Sequence, residues 1–193
     1  MTAGLLVVIS GPSGVGKDTI VQRLLAADPN LRYSVSYTTR PPRDYEMEGA
    51  HYSFVARAEF ERLLAAGEFL EHAEYNGHLY GTSKARVEEA QAQGHDVILK
   101  IEVRGAEQVR GRRPDGLFIF IRPPSMQDLL KRRVGRGSDS EADLEARQRL
   151  AEWEIKFAER YDQQVVNDDA GRAAGEVLDI VRRERSRRAA QLA

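Results

Sequence analysis

The sequence predicts an α/β protein in which a parallel β-sheet is covered by helices. Short apolar segments of strand length recur along the chain, and segments with helical spacing of apolar residues lie between them. Strands that alternate with helices pair in parallel through right-handed crossovers. A Gly-rich segment, residues 11–16, separates the first predicted strand from the first predicted helix. Such a turn is a common place for phosphate to bind, so the fold and a candidate site are predicted together.

The individual elements follow from the same spacing. The apolar segments predict strands at residues 5–10, 97–101, 117–121 and 165–166. Helical spacing predicts helices at residues 17–27, 84–93, 104–111, 125–134 and 172–188.

Two segments depart from this alternation and predict additions to the core. Residues 33–82 carry alternating Tyr, Ser and Thr, a Pro-Pro break and a Gly-rich tip, which predicts a mostly β insertion with one helix near 57–66. Residues 126–160 are helical in pattern and rich in Arg and Glu, as expected of a lid whose inner face is charged. The remaining ranges, 1–32, 83–125 and 161–193, would form the core of one domain.

Composition excludes several functional classes. The chain has 193 residues, which suits one domain, and its net charge of −1 argues against a general nucleic-acid binder. No apolar stretch reaches about 18 residues, so neither a membrane span nor a signal peptide is predicted. Cysteine is absent from the sequence, which excludes disulfides and thiolate chemistry. A cytoplasmic protein without nucleic-acid or membrane partners is expected.

The Gly-rich segment has the spacing of a P-loop, Gly-x4-Gly-Lys, between a strand and a helix. Its predicted ATP-binding residues are Gly11, Pro12, Ser13, Gly14, Val15, Gly16, Lys17, Asp18 and Thr19. Glycines let main-chain N–H groups surround phosphate oxygens, the helix N-terminus adds partial positive charge, and Lys17 reaches the β- and γ-phosphates. A bare strand-to-helix turn is the alternative. The spacing and context favour a three-layer P-loop NTPase fold.

One position departs from the P-loop pattern. A Ser or Thr normally follows the lysine and ligates Mg²⁺, but Asp18 stands there and Thr19 comes next. A carboxylate is a good hard-oxygen ligand for Mg²⁺, although it also repels phosphate. Mg²⁺ is therefore expected to enter with ATP, with either Asp18 or Thr19 as its protein ligand.

Further motifs narrow the assignment. They are Ser34-Val-Ser36-Tyr-Thr-Thr-Arg40-Pro-Pro-Arg43, Glu48-Gly49-x-His-Tyr52-x-Phe54, Phe69-Leu-Glu71, Gly77-His-Leu-Tyr80-Gly81-Thr82, Ile101-Glu102 and Val166-Asn167-Asp168-Asp169. Together with the P-loop, this series resembles the guanylate kinase family over nearly the whole chain. The resemblance implies phosphoryl transfer from ATP to GMP, with dGMP as a further acceptor, in purine nucleotide metabolism.

The resemblance also implies a GMP site. Arg40 and Arg43 would clamp the GMP phosphate, because guanidinium groups bind oxyanions bidentately. The Tyr52 and Tyr80 phenols and the Ser36 hydroxyl would donate to the same phosphate. The guanine-binding residues would be Glu71, Thr82 and Glu102.

The Glu71 carboxylate suits guanine because one carboxylate can accept from both N1–H and the N2 amino group, whereas adenine offers an acceptor at N1. By the same resemblance, Thr82 donates to guanine O6 and Glu102 supports the amino edge. The family usually carries two aspartates at this strand end, where this chain has Lys100 and Glu102. Glu102 preserves the charge, but Lys100 removes an acidic group and puts a water-mediated Mg²⁺ contact in doubt.

Residues 123–147 resemble the lid of the family. Arg132 and Arg136 are four apart and would share a helix face above the ATP phosphates, while Arg147 would bridge donor and acceptor. With Lys17 and Arg40, these three arginines complete the predicted catalytic set. The Asn167-Asp168-Asp169 segment is expected near adenine.

Two other functions share features of this sequence. Ribose 1,5-bisphosphate phosphokinases also carry Gly-Lys-Asp at the P-loop, but their acceptor is not a base, and this chain has the guanine-binding set. A catalytically inactive guanylate-kinase-like module would bind protein partners and have a degraded P-loop, whereas Lys17 is present here.

Overall fold

The computed structural model describes residues 3–134 and 141–191. In chain order the strands are β1 (Leu6–Ser10), β2 (Leu31–Tyr33), β3 (Tyr37–Thr38), β4 (Ser53–Phe54), β5 (Phe69–Tyr75), β6 (His78–Ser83), β7 (Asp96–Lys100), β8 (Leu117–Arg122) and β9 (Gln163–Val166). The helices are α1 (Lys17–Ala27), α2 (Arg57–Ala65), α3 (Lys84–Ala92), α4 (Val103–Arg112), α5 (Met126–Val134), α6 (Glu141–Ile155) and α7 (Ala170–Gln191). All the predicted strands and helices are present, with ends that differ by a few residues.

The larger sheet is parallel throughout, with strand order β2-β7-β1-β8-β9. Its middle strand, β1, is buried at all five positions, as expected for a strand covered by helices on both faces. Val8 pairs with Leu99 on one side and with Phe118 on the other. The predicted α/β class with a parallel core is confirmed.

Strand β2 is part of this sheet and was not predicted. It has only three residues, and exposed Arg32 interrupts its apolar pattern between Leu31 and Tyr33. Its pairing with β7, in which Tyr33 aligns with Ile98, depends on contacts distant in sequence. A strand this short is defined by its neighbour rather than by its own residues.

Helices cover both faces of the large sheet. On one face, α1 and α7 pack against it through Ile20, Leu24, Val177 and Val181. On the other face, α3 and α4 contribute Val87, Val103 and Val109. Each fully buried aliphatic side chain stabilises the fold by roughly 1.5–3 kcal/mol relative to an exposed one, so these faces fix the three-layer arrangement.

A second sheet, β4-β3-β6-β5, contains the predicted insertion strands and has its own small core. Phe60 of α2 stacks on Phe69 of β5 at 4.5 Å between ring centroids, and Leu79 completes the cluster. A Cβ at Gly81 would lie 3.0 Å from both rings, so close packing requires glycine there. Leu70, next to Phe69, instead packs into the core under α4. Strand β5 thus joins the small sheet to the large one.

The two helices of the predicted lid both contact the core. Leu129 of α5 and Ala151 of α6 are fully buried in the cluster beneath α1 and α7. Ser125 begins α5 with a reciprocal cap, since its hydroxyl accepts from the Asp128 N–H and donates to the Asp128 carboxylate. Within residues 3–134 and 141–191, none of the helices has the length and apolar character needed to cross a membrane.

Candidate active site

The predicted P-loop lies between β1 and α1, and three of its glycines, Gly11, Gly14 and Gly16, have positive φ values that favour glycine. Gly11 and Gly16 have φ values of 147° and 100°. A Cβ at Gly11 would lie 2.3 Å from the Ile121 carbonyl oxygen, and one at Gly16 would lie 2.4 Å from Asn167 Nδ2. Strand β8 and residue 167 therefore lie too close to the loop to allow a side chain at position 11 or 16, which explains why both positions are glycine.

Lys17 begins α1 and turns back onto the loop. Its ammonium donates to the Gly11 carbonyl at 2.5 Å and to the Pro12 carbonyl at 3.1 Å. Burial lowers the pKa of Lys17, although the carboxylates of Glu154, Glu102 and Asp18 oppose that shift. A cation held in a poorly solvated position next to a helix N-terminus is well suited to bind an anion such as phosphate.

Asn167 supports the loop from below. Its side chain is 3% exposed and Nδ2 donates to the Val15 carbonyl at 2.7 Å. The expectation that residues 167–169 lie near adenine stays a prediction, and in the structure Asn167 contacts the main chain of the phosphate loop. Asp169 caps α7 by accepting from the main-chain N–H groups of Gly171 and Arg172. The contact of the Asn167 side-chain amide could not be predicted from the sequence, because Val15 lies 152 residues away in the chain.

Asp18 and Lys100, the two positions that depart from the family pattern, contact each other. Lys100 ends β7 and its Nζ donates to Asp18 Oδ1. The side chain of Asp18 is 75% exposed and that of Lys100 is 27% exposed. Burial alone would lower the pKa of Lys100, but Tyr33 and Asp18 outweigh burial and raise it. Lys100 is therefore a cation at neutral pH.

A second cluster lies in the small sheet around Arg40. One guanidinium nitrogen, Nη2, donates to both carboxylate oxygens of Glu46, at 2.7 and 2.9 Å, and the two side chains are 15% and 6% exposed. The Arg40 guanidinium also lies 5.6 Å from the centre of the Tyr52 ring. Tyr52 and Tyr80 meet edge to face at 5.9 Å between centroids. The structure thus brings three predicted phosphate-binding residues together.

Glu46 was missed by sequence reasoning. Its carboxylate also accepts from the Arg43 main-chain N–H at 2.8 Å, so it fixes the turn that carries both arginines. The Arg40 guanidinium holds the pKa of Glu46 below its usual range. The signal available in the sequence was an acidic residue three positions after Arg43, within one polar loop.

Two further predicted phosphate ligands, Arg43 and Ser36, make other contacts in the structure. Arg43 is exposed and its guanidinium donates to the Tyr45 hydroxyl at 2.8 Å, rather than converging with that of Arg40. Ser36 is half-buried between β2 and β3, and its carbonyl accepts from the Ser53 N–H.

Glu71 occupies a closed position between β5 and α4. It is 5% exposed, and Thr82, 1% exposed on the neighbouring strand, donates its hydroxyl to Glu71 Oε1 at 2.6 Å. Burial raises the pKa of Glu71, and the nearby Glu102 raises it further, while the Thr82 hydrogen bonds oppose both effects. The resemblance implied that Thr82 donates to guanine O6. One hydroxyl proton serves one acceptor at a time, and here it goes to Glu71.

Two local features direct the Glu71 side chain. The pairing of β5 with β6 shifts register between Phe69 and Glu71, a β-bulge that re-aims the residues around it. Gly105 of α4 leaves room for the carboxylate, since a Cβ there would lie 2.7 Å from Glu71 Oε2. Gly105 was also missed by sequence reasoning. A glycine within a helix indicates a close contact only when the residue packed against it is known. Glu102 lies at the start of the same helix and is exposed.

Helix α4 also fixes the edge of the small sheet. Gln108 accepts from the His72 N–H at 3.2 Å and donates to the His72 carbonyl at 2.9 Å, replacing a missing strand neighbour. Arg112 donates to the carbonyls of Phe69 and Leu70. The strand that carries Glu71 is therefore held against the helix that faces it.

For two of the three predicted lid arginines, the structure gives the helix to which they belong. Arg132 and Arg147 belong to α5 and α6, but their side chains lie outside the described part of the structure, and Arg136 lies outside the described residues altogether.

Comparison with known proteins decides the family. The family model described as guanylate kinase matches residues 4–184, nearly the full chain. The chain belongs to the guanylate kinase family. A guanylate kinase from Rubrobacter xylanophilus is 48% identical over 95% of this chain and 96% of its own. One from Neisseria gonorrhoeae is 48% identical over 98% and 92%.

A solved structure agrees with this assignment to the guanylate kinase family. The crystal structure of guanylate kinase from Anaplasma phagocytophilum superimposes with a TM-score of 0.76 at 36% identity, and the match covers 95% of this chain and 87% of that one. The resemblance read from the motifs is confirmed. The P-loop NTPase fold predicted from residues 11–19 is confirmed with it.

Proposed function

We propose that this member of the guanylate kinase family transfers the γ-phosphoryl group of ATP to GMP, which gives ADP and GDP. It is an ATP:GMP phosphotransferase of purine nucleotide metabolism, and dGMP is a further acceptor. The observation that carries the proposal is the buried carboxylate of Glu71, held by Thr82 and faced by Gly105 in a P-loop protein. Both substrates are intracellular nucleotides, so the reaction belongs in the cytoplasm.

Guanine selection follows from the chemistry of Glu71. Its carboxylate is costly to bury and becomes fully paired when guanine N1–H and the N2 amino group donate to it. Adenine would place a lone pair against the same oxygens. Sites that hydrogen-bond a particular group reject analogues that lack it by about 10⁴–10⁵. With guanine bound, the Thr82 hydroxyl is released to donate to O6, and Glu102 supports the amino edge.

The acceptor phosphate is assigned to the cluster around Arg40. Glu46 already holds the Arg40 guanidinium in place, which lowers the entropy lost when phosphate binds. The phenols of Tyr52 and Tyr80 add two donors, and Ser36 and Arg43 complete the set from the adjoining loops. Arg43 needs only a side-chain rotation away from Tyr45, since it is exposed.

The donor phosphates are assigned to the loop of residues 11–19. Main-chain N–H groups and the helix N-terminus bind the oxygens, and Lys17 moves its hydrogen bonds from the Gly11 and Pro12 carbonyls to phosphate. The residues present also fit Mg²⁺, because Asp18 offers an exposed carboxylate in the first turn of α1 and Thr19 an exposed hydroxyl. One carboxylate with substrate phosphates and waters is a common Mg²⁺ arrangement. Bound Mg²⁺ would neutralise charge on the β- and γ-oxygens.

Catalysis requires positioning and charge neutralisation rather than a general base. The attacking oxygen of GMP is a phosphate oxygen that is ionised at neutral pH, so no proton has to be removed first. Lys17 and Arg40 act together with the lid residues Arg132, Arg136 and Arg147 to hold two polyanions in line. Closure of the lid, residues 126–160, and of the insertion, residues 33–82, onto the rest of the chain would exclude water and prevent ATP hydrolysis.

A single assay tests the proposal against its rivals. ADP release from MgATP is measured with GMP, AMP, UMP and ribose 1,5-bisphosphate offered separately at equal concentration. We expect rapid release with GMP and rates at least 10³-fold lower with the others, roughly as hydrogen-bond selection allows. Preference for ribose 1,5-bisphosphate would establish the phosphokinase alternative. A folded protein that releases no ADP with any acceptor would be the inactive protein-binding module.

A further inference from the structure

Lys100 occupies the boundary between the two phosphate sites. It ends β7, directly beside β1, and Ile9 is its partner in the sheet, two residues before the phosphate loop begins. Its ammonium donates to Asp18 at the start of α1 and lies 5.5 Å from the centre of the Tyr33 ring. It is close enough to interact electrostatically with Lys17 on the donor side and Tyr52 on the acceptor side.

The Asp18–Lys100 pair moves the acidic residue of the site from the end of β7 to the start of α1 and puts a lysine in its former place. In the usual pattern the residue after the P-loop lysine is a neutral hydroxyl and the β7 end is acidic. Here the carboxylate is on α1 and the strand end is cationic. The sum of charge at the two positions rises from −1 to 0, in a site that must hold two polyanions.

A purely structural ion pair explains these facts poorly. Asp18 is largely exposed, and exposed pairs contribute little to stability, typically 0–1 kcal/mol. Helix α1 already packs on the sheet through Ile20 and Leu24, so the pair adds no needed connection between α1 and β7. Lys100, by contrast, is 27% exposed and ends β7 beside the strand that leads into the phosphate loop, which places its ammonium at the edge of the sheet where phosphate is expected.

We propose that Lys100 is a catalytic residue that contacts the phosphate groups where donor and acceptor meet, and that Asp18 is the positioning residue that holds its ammonium there. When both nucleotides are bound, the ammonium donates hydrogen bonds to oxygens of the acceptor phosphate and of the transferring phosphoryl group. It keeps its protons throughout, and no covalent bond to it forms. This inference rests on the proposed function, since it needs a nucleoside monophosphate as acceptor.

The test compares nucleotide with nucleoside binding. Equilibrium binding of GMP and of guanosine is measured by calorimetry for the wild type, Lys100→Met and the control Lys84→Met. Lys84 is exposed at the start of α3, with a single ion pair to Glu88 at 4.0 Å. Lys100→Met is expected to weaken GMP about tenfold and leave guanosine unchanged, since a charge-assisted hydrogen bond to phosphate is lost. Lys84→Met should change neither.

The Asp18→Asn variant distinguishes a phosphate-binding role of Lys100 from an ion pair that only stabilises the fold. If Asp18 positions the Lys100 ammonium for phosphate, Asp18→Asn should weaken Mg²⁺-free GMP binding by less than Lys100→Met does and leave guanosine binding unchanged. If the pair is structural, Asp18→Asn and Lys100→Met must weaken GMP and guanosine alike and lower the thermal midpoint together. Equal loss in both variants, or an unchanged ratio of GMP to guanosine affinity in Lys100→Met, would overturn the inference.

Turnover gives an independent readout. In Lys100→Met, kcat with MgATP and GMP should fall by roughly 10²-fold or more, because the contact strengthens as charge develops. Lys100→Arg should recover part of that loss by keeping the charge. A wild type that forms no GDP would refute the proposed function itself, whereas an active wild type with an unaffected Lys100→Met refutes only the role of Lys100.

Discussion

The proposed donor and acceptor halves of the site differ in how they would recognise phosphate. The donor half is one continuous segment, residues 11–19, and its contacts are mainly those of the main chain and one lysine. The acceptor half is assembled from separated side chains on β5, β6 and the loops between β3 and β4, with Arg40, Tyr52 and Glu71 as its centre. Main-chain groups fix shape at little cost in stability, whereas buried side chains provide selectivity and must each be supported by a neighbour.

The supporting residues differ accordingly. Asn167 contacts the donor loop through its side-chain amide, which donates to the Val15 carbonyl. The acceptor half needs Glu46 to hold Arg40, and both Thr82 and Gly105 to place Glu71. Damage to the donor half should therefore abolish chemistry, while damage to the acceptor half should first change which substrate is used and how tightly.

The largest effect is expected for Lys17→Met. The change removes the one lysine of the loop, whose charge offsets that of the transferring group, so kcat should fall by roughly 10³-fold while GMP affinity changes little. Steady-state kinetics and GMP calorimetry on the same preparation measure both quantities. Lys131→Met, exposed on α5, is the control. A parallel loss of GMP affinity would show that the two halves are not independent.

Glu71→Gln should act in the opposite way on binding and on stability. Glutamine presents an amino group to guanine N1–H, so the preference for GMP over AMP should fall by roughly 10²-fold or more. At the same time the variant should be more stable than the wild type at neutral pH, because an amide is less costly to bury than a carboxylate. Competition assays and chemical denaturation measure these two effects.

The pH dependence of that stability follows from the raised pKa of Glu71. Below the unfolded value near 4.5 the carboxyl group is protonated in both states, and burial costs little. As pH rises from there through the folded pKa, the unfolded state loses its proton first and the wild type loses stability. The difference between Glu71→Gln and the wild type should therefore grow over that window. A difference that shrinks with rising pH would contradict the burial of an ionisable Glu71.

Gly105→Ala tests whether the acceptor half depends on the space beside Glu71. A Cβ at residue 105 would lie 2.7 Å from Glu71 Oε2, so the carboxylate must move and KM for GMP should rise about tenfold. KM for ATP should not change. Gly111→Ala is the matched control, since it lies on the same helix with open space around it. Alanine favours helix at both positions, so a common effect of propensity would appear in both variants.

The sequence was sufficient for the parts of the molecule that depend on local pattern. The apolar segments predicted four of the strands in the large sheet, and the glycine spacing predicted the loop before α1. Strand β2 was not predictable, because three residues interrupted by Arg32 form a strand only beside β7. The pairings of Asn167 with Val15 and of Gly105 with Glu71 join residues far apart in the chain. Such contacts follow from the tertiary arrangement, which no spacing in the sequence encodes.

The smallest effect is expected for Asn167→Ala, because the donor half depends mainly on main-chain groups. The substitution removes the side-chain donor to the Val15 carbonyl, and loss of that hydrogen bond should lower the free energy of unfolding by about 0.5–1.5 kcal/mol. KM for ATP should rise only a few fold, because the loop keeps its glycine geometry and Lys17. Denaturation and ATP kinetics measure the two effects, and Asn76→Gly, in the exposed turn after β5 where φ is 50°, is the control. If KM for ATP rose as steeply as KM for GMP does in Gly105→Ala, the donor half would depend on side-chain support as much as the acceptor half does.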